Sequence, residues 1–148
     1  MDTIIVFLAA LMMNSSYVHA DTLNKDEIYC LSKAVYHESR GEPIEGQVAV
    51  AHVVLNRVNS DRYPSSVCDV VYEPHQFTDI TKTRPDYKSK EWTTAVEVAI
   101  LSKIGFLEDP TKGAKWYYAH KKVKKPSWAK KKIMVAKIGG HTFLDTAG

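Results

Sequence analysis

Apolar residues recur along this chain in three rhythms, and each predicts a different kind of element. Ile4 to Met13 is an unbroken apolar run, followed by polar Asn14-Ser15-Ser16 and then Val18-His19-Ala20. The run is too short to cross a bilayer, and an apolar core ending in a small residue is the layout of an export signal, so residues 1–20 are expected to be a signal peptide cleaved after Ala20. Asp2 is the only charge before the run, where a basic residue is usual, which leaves a buried N-terminal helix as the other reading.

The second rhythm is helical. Asn24, with Glu27 three residues on, has the form of a capping box, and Leu23 facing Ile28 that of a hydrophobic staple. Ile28, Leu31, Ala34 and Val35 then recur at helical spacing in a helix expected to run to about Arg40, and the same stripe continues to Glu38. A carboxylate thus closes an apolar face. Gly41 permits a left-handed turn, and Pro43 fits the first position of a second helix reaching Val58. That helix is apolar nearly all round, which marks the centre of the core. Ser65 is placed to cap a short helix carrying Val67, Cys68, Val70 and Val71, ended by Pro74. Ser89 and Glu91 open a third long helix, with Trp92, Ala95, Val96, Ala99 and Ile100 on one face and a stop at Gly105.

Between these helices, His75 to Lys88 holds no period and reads as a long loop. The third rhythm is strand-like: Trp116-Tyr117-Tyr118, then Ile133 to Leu144 as a hairpin around Gly139-Gly140. The expected class is α+β, mainly α with a small β element near the C-terminus, in one domain over residues 21–148.

Composition changes this picture little. With 148 residues, 45% hydrophobic and 25% charged, the chain has ordinary globular proportions, and one domain is expected rather than a multidomain, disordered or polytopic membrane protein. Charge adds more: residues 21–110 carry a net −5, whereas residues 111–148 hold 10 Lys against the single acid Asp145. The Lys-rich stretch, with Lys121, Lys122, Lys124, Lys125, Lys130, Lys131 and Lys132 around Pro126 and Trp128, suits weak attraction to an anionic polymer, and otherwise a solvated face. The two cysteines, Cys30 and Cys68, read as one disulfide if the chain is exported and as free thiols if it is cytosolic.

The densest polar cluster is His37-Glu38-Ser39-Arg40-Gly41-Glu42-Pro43, at a junction of apolar helices. A glutamate in apolar surroundings resists ionisation, and a general acid needs its proton near neutral pH. Glu38 fits that role better than Glu42, which sits at a helix start where an ionised carboxylate is favoured. The bland alternative is a Glu38 paired with Arg40 or Lys33 on a solvated face.

Ala34 to Arg57, AVYHESRGEPIEGQVAVAHVVLNR, resembles the start of the bacterial cell wall hydrolase family that includes the spore cortex-lytic enzymes. The family pattern E-x-R-G-E-P-x-x-G-Q-x-A-V-A is followed there by L-N-R. Tyr63-Pro64, Val67-Cys68, Val70-Val71-Tyr72, Gln76-Phe77, Asp109-Pro110-Thr111, Gly113-Ala114, Tyr117, Pro126, Trp128 and Ile138 to Phe143 continue the resemblance in order. It implies a lysozyme-like fold that cleaves peptidoglycan glycan strands, with Glu38 as the catalytic acid and Arg40 and Glu42 in support. It also implies lytic transglycosylase chemistry, in which the muramic C6 hydroxyl attacks the anomeric carbon and no second carboxylate is needed. A two-carboxylate scheme would draw on Glu42 or Glu73.

On the same resemblance, Gln76, Phe77, Tyr117, Tyr118 and His120 are expected to contact sugars, though alternation along a strand lets at most one of the two tyrosines face the cleft. The length suits a compact exported enzyme acting on ordinary murein. No cofactor or metal, no nucleic-acid partner, no stable membrane insertion and a monomeric state are expected. Three rivals stand against this reading. A zinc peptidase would need a histidine where Gly41 stands. A cysteine peptidase would need a free thiolate, and a binding module would act through its lysines alone.

Overall fold

The computed structural model describes residues 24–74, 76–77, 80–81 and 83–147. The expected signal peptide, Leu23 and His75 lie outside them. Helix α1 spans Lys25–Ser39, α2 Ile44–Val58, the short α3 Val67–Val71 and α4 Lys90–Lys103. Strand β1 (Trp116–Tyr118) is followed by a 3-10 turn at Ser127–Lys131, then by β2 (Ile133–Ile138) and β3 (His141–Asp145). The strands form one antiparallel sheet in the order β1-β3-β2, with a register irregularity between Met134 and Ala136. The α+β class read from the sequence is the observed one.

Asn24 caps α1, its side chain accepting from the amides of Asp26 and Glu27. The expected return bond of a capping box is replaced by something longer in range. Glu27 Oε1 accepts from the Val67 amide at 3.1 Å and Oε2 pairs with Lys103 at 3.0 Å, so one carboxylate ties α1 to α3 and α4. Two helix starts also shift by one residue: Ser66, not Ser65, caps α3 by accepting from the Asp69 amide, and Pro43 is the N-cap of α2 rather than its first residue.

The core has two parts that meet on α2. Leu31, Ala34 and Val35 of α1, Val54 of α2, Val67, Val70 and Val71 of α3 and Ala95 and Ala99 of α4 form the larger. Ala49, Val50 and Val53 pack with Phe143 of the sheet as the smaller. Because α2 is apolar on opposite faces, it serves both. The face of α4 differs from the expected stripe: Ala95, Val98, Ala99 and Ser102 are buried, while Trp92, Val96 and Ile100 line an apolar groove beside Ile28 and Tyr29 of α1. Small residues let α4 approach the bundle closely; Trp92 still packs against the larger core, and Val96 and Ile100 remain on the groove.

Cys30 and Cys68 form a disulfide with Cα atoms 5.2 Å apart, joining α1 to α3 across 38 positions of sequence. Closing a loop of that length stabilises the fold by about 4 kcal/mol on the chain-entropy account. No helix among the described residues is long and apolar enough to cross a membrane.

Candidate active site

The site lies where the last turn of α1, the last turn of α2 and the sheet converge. Glu38 stands half-buried one residue before the end of α1, and Tyr117 comes to it from the edge strand β1, paired there with Phe143 of β3. The Tyr117 hydroxyl donates to the Glu38 carboxylate, and its pKa is driven well above the usual phenol value. Burial is the main cause; the charge of Glu38 and the hydrogen bond to it add to the rise, and the Arg57 guanidinium opposes it. The phenol therefore keeps its proton and fixes the orientation of the carboxyl group.

Alternation along β1 sends the two tyrosines to opposite sides. Tyr117 packs against His141 at 5.2 Å and Phe143 at 5.7 Å between ring centroids, and Tyr118 turns to Trp128 at 6.3 Å. Tyr117 also lines an open cleft of about 460 Å3 shared with Arg57, Gln76, Trp116, Trp128 and Lys132. Tyr118 is not among these lining residues.

Arg57 is the hinge of the cleft wall. It is only 4% exposed, yet its guanidinium reaches the cleft. Nε donates to the Lys115 carbonyl at 2.8 Å and Nη1 to Gln76 Oε1 at 3.3 Å, while the rings of Tyr63 and Phe77 lie 5.1 and 5.4 Å from the guanidinium carbon. Gln76 is thus exposed on the cleft and fixed by Arg57. Phe77, expected as a sugar contact, is 7% exposed and belongs to the core beneath Arg57, because an apolar ring in this loop gains more from burial than from solvent. Its influence on the site passes through the guanidinium it supports.

Asn56 and Arg57 share one task. Asn56 donates to Asp109 Oδ2 at 2.9 Å and to the Ala114 carbonyl at 3.0 Å, so neighbouring side chains of α2 hold the segment leading into β1. Burial would push the Asp109 carboxyl up, but hydrogen bonds from Thr111, Asn56 and the amides of Thr111 and Gly113 outweigh it and hold the group below the usual carboxylate range.

On the other side, Glu42 leaves the helix start and reaches the β2–β3 turn. Its Oε2 accepts from the Gly140 amide at 3.0 Å, and Oε1 lies 3.8 Å from His141 Nδ1. His141 is 5% exposed, and burial lowers its pKa, with Glu42 opposing and Lys122 and His120 reinforcing the shift. His120 stands near, its Nδ1 hydrogen-bonded with Thr142 Oγ1 at 2.9 Å. Arg40 caps α1 and stacks over the Tyr36 ring at 4.7 Å, and Lys33 donates to the Tyr72 hydroxyl at 3.2 Å.

Arg57, Trp116 and Lys132 were not singled out by the sequence as cleft residues. Lys132 looks like one more member of a lysine run, but the 3-10 turn ends there and sets its Nζ 3.5 Å from the centre of the Trp116 ring. Both cysteines are consumed in the disulfide, which leaves the cysteine-peptidase rival without a thiolate. Among the described residues no group of three or more His, Cys, Asp or Glu is placed to hold a metal ion.

The Glu38 carboxyl held by the Tyr117 hydroxyl, beside an aromatic and cationic cleft, lies at the junction of helices and sheet in a small α+β domain. The chain belongs to the Cell Wall Hydrolase family, whose model matches residues 41–144. It is 37% identical over 122 residues to the spore cortex-lytic enzyme of Bacillus subtilis (strain 168), covering 82% of this chain and 38% of that protein. To a spore cortex-lytic enzyme of Bacillus cereus it is 38% identical over 120 residues, covering 81% and 44%. The chain therefore spans about two fifths of the length of these relatives.

Its fold is similar to the crystal structure of the catalytic domain of the Bacillus cereus SleB protein, with a TM-score of 0.70 at 35% identity over 82% of this chain and 91% of that one. It is equally similar to the catalytic domain of the germination-specific lytic transglycosylase SleB from Bacillus anthracis, with a TM-score of 0.69 at 35% identity over 82% and 96%.

Proposed function

We propose that this chain is an exported peptidoglycan-degrading enzyme that cleaves the β-1,4 bond between N-acetylmuramic acid and N-acetylglucosamine as a lytic transglycosylase. The observation that carries the proposal is the Tyr117 hydroxyl held on the Glu38 carboxylate at the edge of an aromatic cleft. Glu38 protonates the bridging oxygen as the glycosidic bond breaks. The resulting carboxylate then takes the proton of the muramic C6 hydroxyl as that oxygen attacks the anomeric carbon, which closes a 1,6-anhydro ring and restores the acid. Glu42, one of the two candidates for a second catalytic carboxylate, is engaged with Gly140 and His141, which favours a route that does not call on it.

The names of the relatives support the substrate, and that of the Bacillus anthracis domain supports the transglycosylase outcome. The disulfide favours an oxidising, exported setting. Digestion of purified murein sacculi with mass analysis of the soluble products tests the proposal. Anhydro-muropeptides are expected; reducing-end muropeptides would make the chain a hydrolase of the same bond, and no soluble sugar would make it a binder.

A further inference from the structure

Two cations, one amide and three aromatic rings, Tyr117 among them, line the cleft, and the six carry no carboxylate. Aromatic faces suit the apolar face of a pyranose, and a cleft for a neutral sugar needs no more than these and a few amides. We infer that the Arg57–Lys132 side of the cleft is a subsite for a carboxylate borne on the glycan, so that the cleft selects acidic over neutral saccharide; this rests on the reading of the chain as a glycan-cleaving enzyme.

The two cations are built differently. Arg57 is buried, clamped by the Lys115 carbonyl and Gln76, and set between the rings of Tyr63 and Phe77. A planar cation fixed in this way offers its remaining donors without a loss of side-chain freedom. Lys132 reaches the same cleft over the face of Trp116, half-buried, whereas Lys121, Lys122, Lys124 and Lys125 are exposed. It has therefore left the solvated run and become part of a wall. A carboxylate entering between these groups gains charge-assisted hydrogen bonds in a partly dehydrated place, a gain that a neutral ring cannot make.

Peptidoglycan carries carboxylates of two sources, the lactyl group on the muramic sugar and the groups of the stem peptide. The test uses soluble glycan chains freed of stem peptides, with the lactyl carboxylate either free or converted to its methylamide, and chains bearing stems whose carboxylates are likewise free or amidated. Wild-type protein, Lys132→Gln and Lys132→Met are compared by kcat and KM, the methionine variant keeping an apolar stem on Trp116.

Amidation should lower wild-type kcat/KM about tenfold, mainly through KM, in the arm that carries the recognised carboxylate. Both variants should lose about as much on the free acid and less than about twofold more on its amide. The proposal is overturned if the wild type treats acid and amide alike in both arms. It is equally overturned if the variants keep the full amidation penalty, since their loss would then come from packing on Trp116. If the wild type cleaves none of the four substrates, the glycan-cleaving reading itself fails and the subsite falls with it.

Discussion

Glu42 and Gly140 stand 98 positions apart and are joined by a hydrogen bond of 3.0 Å from the Gly140 amide to Glu42 Oε2. The bond anchors the turn just past Glu38 to the hairpin whose strand β3 supports Tyr117, so both partners of the Tyr117–Glu38 contact are held from one place. A Cβ at Gly140 would come within 2.7 Å of Glu42 Oε1, which explains a glycine there. Glu42→Gln keeps an acceptor and should leave most activity and stability. Glu42→Ala strands the amide and should cost about 1–3 kcal/mol in chemical denaturation, with a larger loss of lysis. Equal behaviour of the two variants would contradict the anchoring role.

Tyr117→Phe removes the hydroxyl and keeps the ring that packs on His141 and Phe143. The account expects kcat to fall about 10²-fold with KM little changed, because a misdirected acid loses productive geometry more than binding. Steady-state kinetics on soluble glycan, alongside circular dichroism to confirm the fold, reads this out. A stability loss with kcat preserved would make Tyr117 a packing residue only.

Burial of His141 sets a pH dependence whose direction follows from linkage. The unfolded chain accepts a proton on this imidazole near its ordinary value of about 6.5, and the folded chain resists because its pKa is lowered. The stability it contributes is thus present above that value and is lost as pH falls through it. The urea midpoint should drop between about pH 7.5 and about pH 5.5, and His141→Gln should flatten that drop. An unchanged slope in the variant would place the acid sensitivity elsewhere.

The exposed lysines Lys121, Lys122, Lys124 and Lys125 are expected to speed encounter with an anionic wall, an attraction that salt screens over about 10 Å at 0.1 M. Replacing all four by Gln should slow lysis of sacculi mainly at low salt and leave cleavage of a short soluble glycan nearly normal. Equal loss on both substrates at every salt concentration would place them in the substrate groove.

The helices were legible because each carries a local signal: the Asn24 cap, the stripe from Ile28 to Glu38, the all-round apolar α2 and the Ser89 cap. Glu38 could be singled out on the same ground, as a carboxylate on an apolar stripe. Alternation along β1 allows only one of Tyr117 and Tyr118 to face the cleft, and Tyr117 is the one that lines it. The remainder depended on contacts between distant parts of the chain. Glu27 reads as a capping partner until α3 and α4 come within its reach. Phe77 looks like a loop aromatic until Arg57 covers it, and Arg57 looks like a helix-end cation until Lys115, Gln76 and two rings close around it. No periodicity marks Lys132, since it is the 3-10 turn that lifts it out of the lysine run and onto Trp116.

The central claim is that Glu38 supplies the proton that breaks the glycan bond, and Glu38→Gln tests it most directly, because glutamine keeps the volume and hydrogen-bonding capacity but has no transferable proton. Purified sacculi are digested with equal amounts of wild type and variant, and the soluble products are quantified by mass. The account predicts that the variant folds with its disulfide intact and releases about 10²-fold less anhydro-muropeptide, or less still. Near-wild-type release with an unchanged product pattern would contradict it and remove Glu38 as the acid.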